Sequence, residues 1–238
     1  MPRHTNTAVP ARPLRPTARY EDRIAVTLYL ASTSPARLML LRQAGVEPVV
    51  IPSEVDEDAA VERHEAEHGT LSPAEMVAFL GRVKAEAVVE AAAEASEVLD
   101  GFVVGGDSAF EIDGVAYGKP HTPERARERW QMQRGATGTL HSGLWVIDHR
   151  GGRVNGATGG TTSATVTFAD DITDDEIDDY IATGEPLEVA GAFTIDSLGA
   201  PFIQRIEGDP STVVGMSLPA LRRTVNALGG SWSSLRNR

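Results

Sequence analysis

Apolar residues fall along the chain in short runs, separated by stretches of helical period, and this alternation predicts an α/β fold. Leu28 to Ala31 reads as a strand, followed by a helix opening at Ser34-Pro35 and ending at Gly45. Val49, Val50 and Ile51 predict a second strand, and Ser53 to Asp58 an acidic loop. Ser72 and Pro73 begin a long helix with Glu75 in capping-box position, its apolar stripe running through Met76, Val77, Leu80, Val83 and Ala87. Phe102, Val103 and Val104 predict a buried strand ending at Gly105 and Gly106, and residues 109–118 a hairpin about Asp113-Gly114. Thr122 and Pro123 cap a helix through Trp130 to Gly135. Leu140–Ile147 and Ala164–Phe168 read as strands parted by the glycine-rich segment Gly151–Gly160. Thr173 and Glu176 form a capping box for a helix stopped at Gly184, Phe202 to Ile206 predicts another strand, and Leu218–Leu228 the last helix. Trp130, Trp145 and Trp232 read most simply as packing residues.

The first 24 residues break the pattern. Arg3, Arg12, Arg15, Arg19 and Arg23 alternate there with Pro2, Pro10, Pro13 and Pro16, with no apolar period, which predicts a disordered arm. The rest divides into one domain over 25–230 and a C-terminal tail, 231–238. At 41% hydrophobic and 24% charged residues, the 238-residue chain has the composition of an ordinary globule, and a cytoplasmic enzyme or binding protein is the expectation. No run approaches the roughly 20 apolar residues of a membrane span. The chain has no cysteine, which removes disulfides, thiolate metal sites and thiol nucleophiles together. A net charge of −12 argues against sequence-independent binding to nucleic acid, yet leaves room for a small phosphorylated ligand in a local basic pocket.

Two places carry candidate chemistry. In Ser32-Thr33-Ser34-Pro35-Ala36-Arg37 the helix opens with an arginine in its first turn, at the positive end of the dipole, where a carboxylate is normally preferred. A cation there makes sense if the turn receives an anion, with N–H groups, hydroxyls and guanidinium converging on one phosphate or carboxylate; a merely solvated arginine stays open on this segment alone. At the hairpin, register places Ser108 opposite Lys119 with Asp107 one step further. Asp107 and Lys119 converge only if Gly105-Gly106 bends the strand, and a surface ion pair is the alternative.

SPAR at 34–37, SEVDE at 53–57, the Lys84 helix, GGDSAF at 105–110 with GKP at 118–120, and the run from GEPLEVAGAFTIDSLG to FIQRIEGDPSTVVG together resemble the Maf family of nucleotide pyrophosphatases, over residues 27 to about 226. The resemblance implies a two-lobed α/β fold, a mixed twisted sheet flanked by helices with the active-site cleft between the lobes, related to inosine triphosphate pyrophosphatases. It implies hydrolysis of nucleoside triphosphates to monophosphate and pyrophosphate with a divalent metal, magnesium or manganese, in a homodimer, clearing non-standard or surplus nucleotides. Asp107 matches the family's proton acceptor, Lys119 its G-K-P lysine, Arg37 the second arginine of S-P-R-R, and Glu57 the V-D-E glutamate. Glu57 and Asp107 are then the metal candidates, with Asp107 open as base or ligand. Ser32, Ser34, Arg37, Lys84 and Lys119 are the phosphate candidates. Three positions depart from the family: Ala36 for the first S-P-R-R arginine, Ser108 for the threonine after the aspartate, and Asp196 for a glutamine. These positions separate dTTP and UTP enzymes from 7-methyl-GTP enzymes, and this chain matches neither set. A nucleotide-binding regulatory or division-linked protein with little turnover is the alternative.

Other motifs carry less. His64-Glu65-Ala66-Glu67-His68 has the spacing of a zinc-protease helix, but it is polar all round and stopped by Gly69. The carboxylates from Asp170 to Asp179 lack calcium-loop spacing and suit a helix start. Gly114 to Lys119 is too short for a phosphate loop, and Pro120 stands where it needs Ser or Thr. His141 and Ser142, adjacent on a strand, point to opposite faces.

Overall fold

The computed structural model describes residues 25–237; the predicted arm lies outside the described residues. The elements are β1 (Thr27–Ala31), α1 (Pro35–Gln43), β2 (Val49–Val50), α2 (Glu57–His68), α3 (Pro73–Glu94), β3 (Gly101–Ile112), β4 (Val115–Tyr117), α4 (Pro123–Gln133), β5 (Thr137–Asp148), β6 (Gly156–Phe168), α5 (Asp174–Ala182), β7 (Ile203–Glu207), α6 (Pro210–Val214), α7 (Leu218–Ala227) and α8 (Trp232–Leu235). Seven strands make one mixed sheet in the order β2-β1-β3-β5-β6-β7, with β4 hooked onto β3. β1 pairs parallel with β2 and β3, and the other pairings are antiparallel.

Local signals behave as their chemistry requires. Ser34, Ser72, Thr122 and Thr173 cap α1, α3, α4 and α5, the second and fourth in full capping boxes. Asp113 and Gly114 both take positive φ, 51° and 79°, as a type I′ turn demands. Four expectations need correction. β3 does not end at Gly105-Gly106 but runs on unbroken into the hairpin, and β6 begins inside the expected glycine-rich linker, at Gly156. Pairing with long β5 imposes strand conformation on both stretches, from Phe102↔Asp148 to Glu111↔Thr139 and from Thr137↔Thr167 to Asp148↔Gly156. The buried face of α3 is rotated to Val77, Leu80, Gly81, Lys84, Ala85, Val88 and Ala92, leaving Met76, Val83 and Ala87 half-buried. Nor is α7 the last helix. Residues of the C-terminal tail form α8, which buries Leu235 against α1 and α7, while Val26 N–H donates to the Ser234 carbonyl.

Twelve or thirteen residues per strand carry β3, β5 and β6 about 40 Å, and β3 and β5 run through the cores at both ends of the sheet. At one end Phe102 and Val104 pack with α1, α7 and α8, while Val103 and Ile147 pack beneath α3 on the other face. At the far end Phe110, Leu140, Val166 and Phe168 pack with Trp130 of α4 and Tyr180 of α5 in a lattice of edge-to-face rings. Between the cores the same strands read Gly105-Gly106-Asp107-Ser108 and Ser142-Gly143, with no large apolar side chain. These are the two lobes, and the polar waist of the sheet is where a cleft opens.

The waist also sets the height of α3. A Cβ on Gly105 would overlap the Gly81 carbonyl, and one on Gly143 would overlap that of Val77, so helix backbone lies directly on sheet backbone. Gly143→Ala should therefore lift α3 and destabilise the fold by about 3 kcal/mol or more, read as a lowered urea midpoint with unchanged slope.

Candidate active site

A single cavity of ≈ 1180 Å³ occupies the waist, above the roughly 300–1,000 Å³ typical of small-molecule sites. Its walls include the turn Ser32–Arg37, the N-terminal part of α2, the mouth of the β3–β4 hairpin at Asp107, Ser108 and Lys119, the segment Glu188–Asp196, and Val213–Gly215. The proline-capped turn and the hairpin mouth thus open into one space.

Arg37 is the best-anchored charge there. Third in α1, it is buried, and burial lowers its pKa, with the nearby charges of Asp107 and Glu57 acting the other way. Its Nε–H donates to the Gly215 carbonyl at 2.9 Å, one terminal nitrogen to Ser32 Oγ at 3.0 Å, and the other to Ser108 Oγ at 2.9 Å. A guanidinium has five N–H donors, so two stay available to an anion. Ser32 Oγ also accepts from Ser34 N–H, and Ser34 Oγ accepts from Arg37 N–H. Both hydroxyls act as acceptors in these bonds and keep their own protons for a ligand.

The bend at Gly105-Gly106 that would bring Asp107 to Lys119 is absent, because β3 runs unbroken through both glycines. Regular pairing stops at Phe110↔Tyr117, and Lys119 turns instead to Glu188, 3.8 Å away. Strict alternation along unbroken β3 sends Asp107 to the α3 face and Ser108 to the Arg37 face. The ammonium beside Asp107 is that of Lys84, at 2.8 Å, and the same ammonium contacts Glu57 at 2.8 Å. Lys84 is buried on α3, so the two candidate metal carboxylates converge around a lysine expected to meet phosphate. The glycine contacts of α3 bring Lys84 down to this level. Asp107 Oδ2 has no hydrogen-bond partner among the described residues.

Of the three departures, Ala36, Ser108 and Asp196 all line the cavity. Ser108 is engaged by Arg37 and donates to the Gly215 carbonyl at 3.3 Å. Asp196 lies on the loop after α5; burial raises its pKa and repulsion from Glu185 adds to that.

Several supporting groups escape sequence reasoning. The Gly215 carbonyl accepts from Arg37, Ser108 and buried Ser142. The residue sits at φ +126°, where glycine is favoured, and no local motif announces such a hub. Glu185 accepts from Tyr180 and Thr194 hydroxyls and from Leu198 and Gly199 N–H, fixing the loop that carries Asp196. Asp209 caps α6 and accepts from Ser211, Thr212 and Ser217; its place before Pro210 is the one signal that could have found it. Of the lesser motifs, Gly114 to Lys119 reaches the cavity at Gly118 and Lys119, while the His64–His68 pair, the carboxylates from Asp170 to Asp179, and His141 with Ser142 stay outside it. His64 and His68 stack at 4.4 Å on α2 beside Phe79, and no cluster of three or more potential ligands occurs among the described residues. His141 faces Glu111 and Ser163 while Ser142 faces Gly215, as strand alternation requires. No described helix is long and apolar enough to cross a membrane.

Comparison with known proteins adds an independent finding. Residues 27–228 match the family model described as "Maf-like protein". A protein of Leifsonia xyli subsp. xyli named nucleoside triphosphate pyrophosphatase is 67% identical over 211 residues, 89% of this chain and 97% of its own length. Proteins of the same name from Nocardia farcinica, 48% identical over 85% of this chain and 93% of theirs, and from Corynebacterium diphtheriae, 46% identical over 89% and 99%, are also similar.

The loop anchor is pH-sensitive in a defined direction. Burial pushes Glu185 up, but bonds from Ser197, Thr194 and Tyr180 outweigh it and hold the carboxyl below its ordinary value. A carboxylate depressed in the fold stabilises it fully above its unfolded pKa, about 4.3 for glutamate, and ceases to do so as pH falls through the depressed value. Urea midpoints measured from about pH 6 to pH 3 should therefore fall on the acid limb, and less steeply in Glu185→Gln.

Proposed function

The chain belongs to the Maf family, and from that premise we propose that it hydrolyses nucleoside triphosphates to the monophosphate and pyrophosphate. The observation that carries this reading is the shared cavity, which joins the anion-ready turn at Arg37 to the Lys84-bridged carboxylates Glu57 and Asp107. Water attacking a phosphorus needs an acceptor for its proton, and the charge that grows on the phosphate oxygens needs fixed cations.

The donor set fits a divalent cation. Mg²⁺ takes one or two carboxylates and completes its shell with water and substrate phosphate oxygens. Glu57 and Asp107, both within 2.8 Å of one Lys84 ammonium, form such a partial set, and they would hold the ion, magnesium or manganese. Bound there, it would supply charge neutralisation and acidify a water. The chain's own contribution is positional. Arg37 offers its two spare N–H donors to phosphate oxygens, Ser32 and Ser34 their hydroxyl protons, and Lys119, in the same cavity, its ammonium to the far end of the triphosphate. Asp107 either holds the cation or accepts the proton of water, and both roles need its negative charge.

Base choice falls to the positions that depart from the family. Asp196, when ionised, accepts only, so a base edge presenting N–H donors suits it. Ala36 leaves open a space that the family fills with arginine.

Asp107→Asn keeps shape and removes the charge; pyrophosphate release should drop by about 10²–10⁴-fold, and unchanged turnover would exclude the assigned role. A panel of standard and modified nucleoside triphosphates, each with Mg²⁺ and Mn²⁺, tests substrate and metal together. A base preference different from that of the dTTP and UTP enzymes, altered in Asp196→Asn, is expected, and strict preference for dTTP would refute it. Tight nucleotide binding with no pyrophosphate release would favour a regulatory binding protein instead.

A further inference from the structure

The cavity that holds Arg37 and Lys84 also holds a second charge cluster, around Lys119, in which Glu188 and His121 have no part in the chemistry above. Glu188, in the short 3₁₀ turn Glu185–Glu188, lies between a lysine and a histidine. Its Oε2 is 3.8 Å from Lys119 Nζ and its Oε1 is 3.8 Å from His121 Nδ1. All three side chains line the cavity and are more than half exposed.

The backbone beneath them is held far more firmly than the ion pairs. His121 N–H donates to the Leu187 carbonyl at 3.1 Å, Gly191 N–H donates to the Gly118 carbonyl at 3.3 Å, and Arg129 also donates to that carbonyl. These bonds staple the strip 118–121 to the strip 187–191. They also keep His121 at φ +60°, a left-handed conformation that costs a residue with a side chain about 1–3 kcal/mol and persists only where surroundings enforce it. A fixed frame therefore presents a lysine and a histidine side by side, while the carboxylate between them sits beyond hydrogen-bond range of both. An exposed contact of that kind contributes about 0–1 kcal/mol, so a polyphosphate can displace it.

Resting on the pyrophosphatase reading, we propose that Lys119 and His121 form the subsite for the pyrophosphate portion of the substrate, and that Glu188 is its resident anion, facing both side chains and yielding them to phosphate. Lys119 was already a phosphate candidate; His121 as its partner and Glu188 as the exchangeable anion are new. Charge explains why an acidic residue belongs on a phosphate-binding wall. Glu188 lowers affinity for the departing pyrophosphate by competing for its partners, and so favours release after hydrolysis. It is a tuning group and makes no bond to a reacting atom.

The test is calorimetric titration of the whole protein with inorganic pyrophosphate in magnesium buffer, alongside KM and kcat for the preferred triphosphate. In Glu188→Gln the pyrophosphate dissociation constant should fall about threefold or more, with KM falling in parallel. Glu94→Gln makes the same charge change at the exposed far end of α3 and should leave both unchanged. His121→Ala should weaken pyrophosphate binding and shrink the gain from Glu188→Gln when the two are combined. Unchanged or weaker binding in Glu188→Gln, an equal gain in Glu94→Gln, or a gain undiminished by His121→Ala would overturn the assignment. Failure of the parent reading looks different: wild-type protein that binds pyrophosphate but hydrolyses no triphosphate removes the pyrophosphatase activity and leaves the counter-ion exchange to be judged on binding alone.

Discussion

Backbone resting on backbone is the constraint from which the site follows. α3 lies on the sheet at Gly105 and Gly143 with no side chain between them. Only that height brings the short reach of Asp107 and the ammonium of Lys84 to 2.8 Å. A helix seated on alanine would stand further off, and the buried lysine would lose one of the two carboxylates that compensate its burial. The same contact explains why the inner face of α3 carries glycine and alanine where an amphipathic helix ordinarily carries leucine.

A second consequence is the separation of the two cores. Because β3 and β5 pass through both, neither lobe has a hinge made of loop; the lobes share strands, and the cleft is a gap in side-chain filling along continuous β-structure. Functional groups therefore come from strand and helix positions whose orientation is fixed by pleat and register. Asp107 and Ser108, adjacent in sequence, serve opposite faces, and Arg37 ties the Ser108 face to the Gly215 loop. Rigid placement suits phosphoryl chemistry, in which fixed cations must meet charge as it develops.

Electrostatically the cavity is mixed, with Arg37, Lys84 and Lys119 set among Glu57, Asp107, Glu188 and Asp196. Carboxylates pair with Lys84 and Lys119, whereas Arg37 is held by neutral acceptors, and the two lysine pairings differ in strength. Lys84 is buried between two carboxylates at hydrogen-bond distance, whereas Lys119 faces one exposed carboxylate at 3.8 Å. Burial makes the first arrangement a structural fixture and exposure makes the second exchangeable.

Much of this was legible in the chain. Caps at Ser34, Ser72, Thr122 and Thr173 and the turn at Asp113-Gly114 depend on bonds within a few residues, so local chemistry determines them. The linked motifs likewise identified the residues that gather in the cleft, from Arg37 and Glu57 to Asp107 and Asp196. Partnership was not legible. Glycine-rich stretches read as strand ends until β5 pairs with them. Lys84 and Lys119 look equivalent until helix height and the end of the hairpin give them different neighbours, and the Gly215 carbonyl has no side chain to advertise it. Sequence alone determined which chemical groups the protein owns and which turns it makes, because those follow from short-range bonding. Tertiary structure decided which charges face each other, because a few ångströms of backbone approach, set by contacts between residues far apart in the chain, separate a buried ion pair from an exchangeable one.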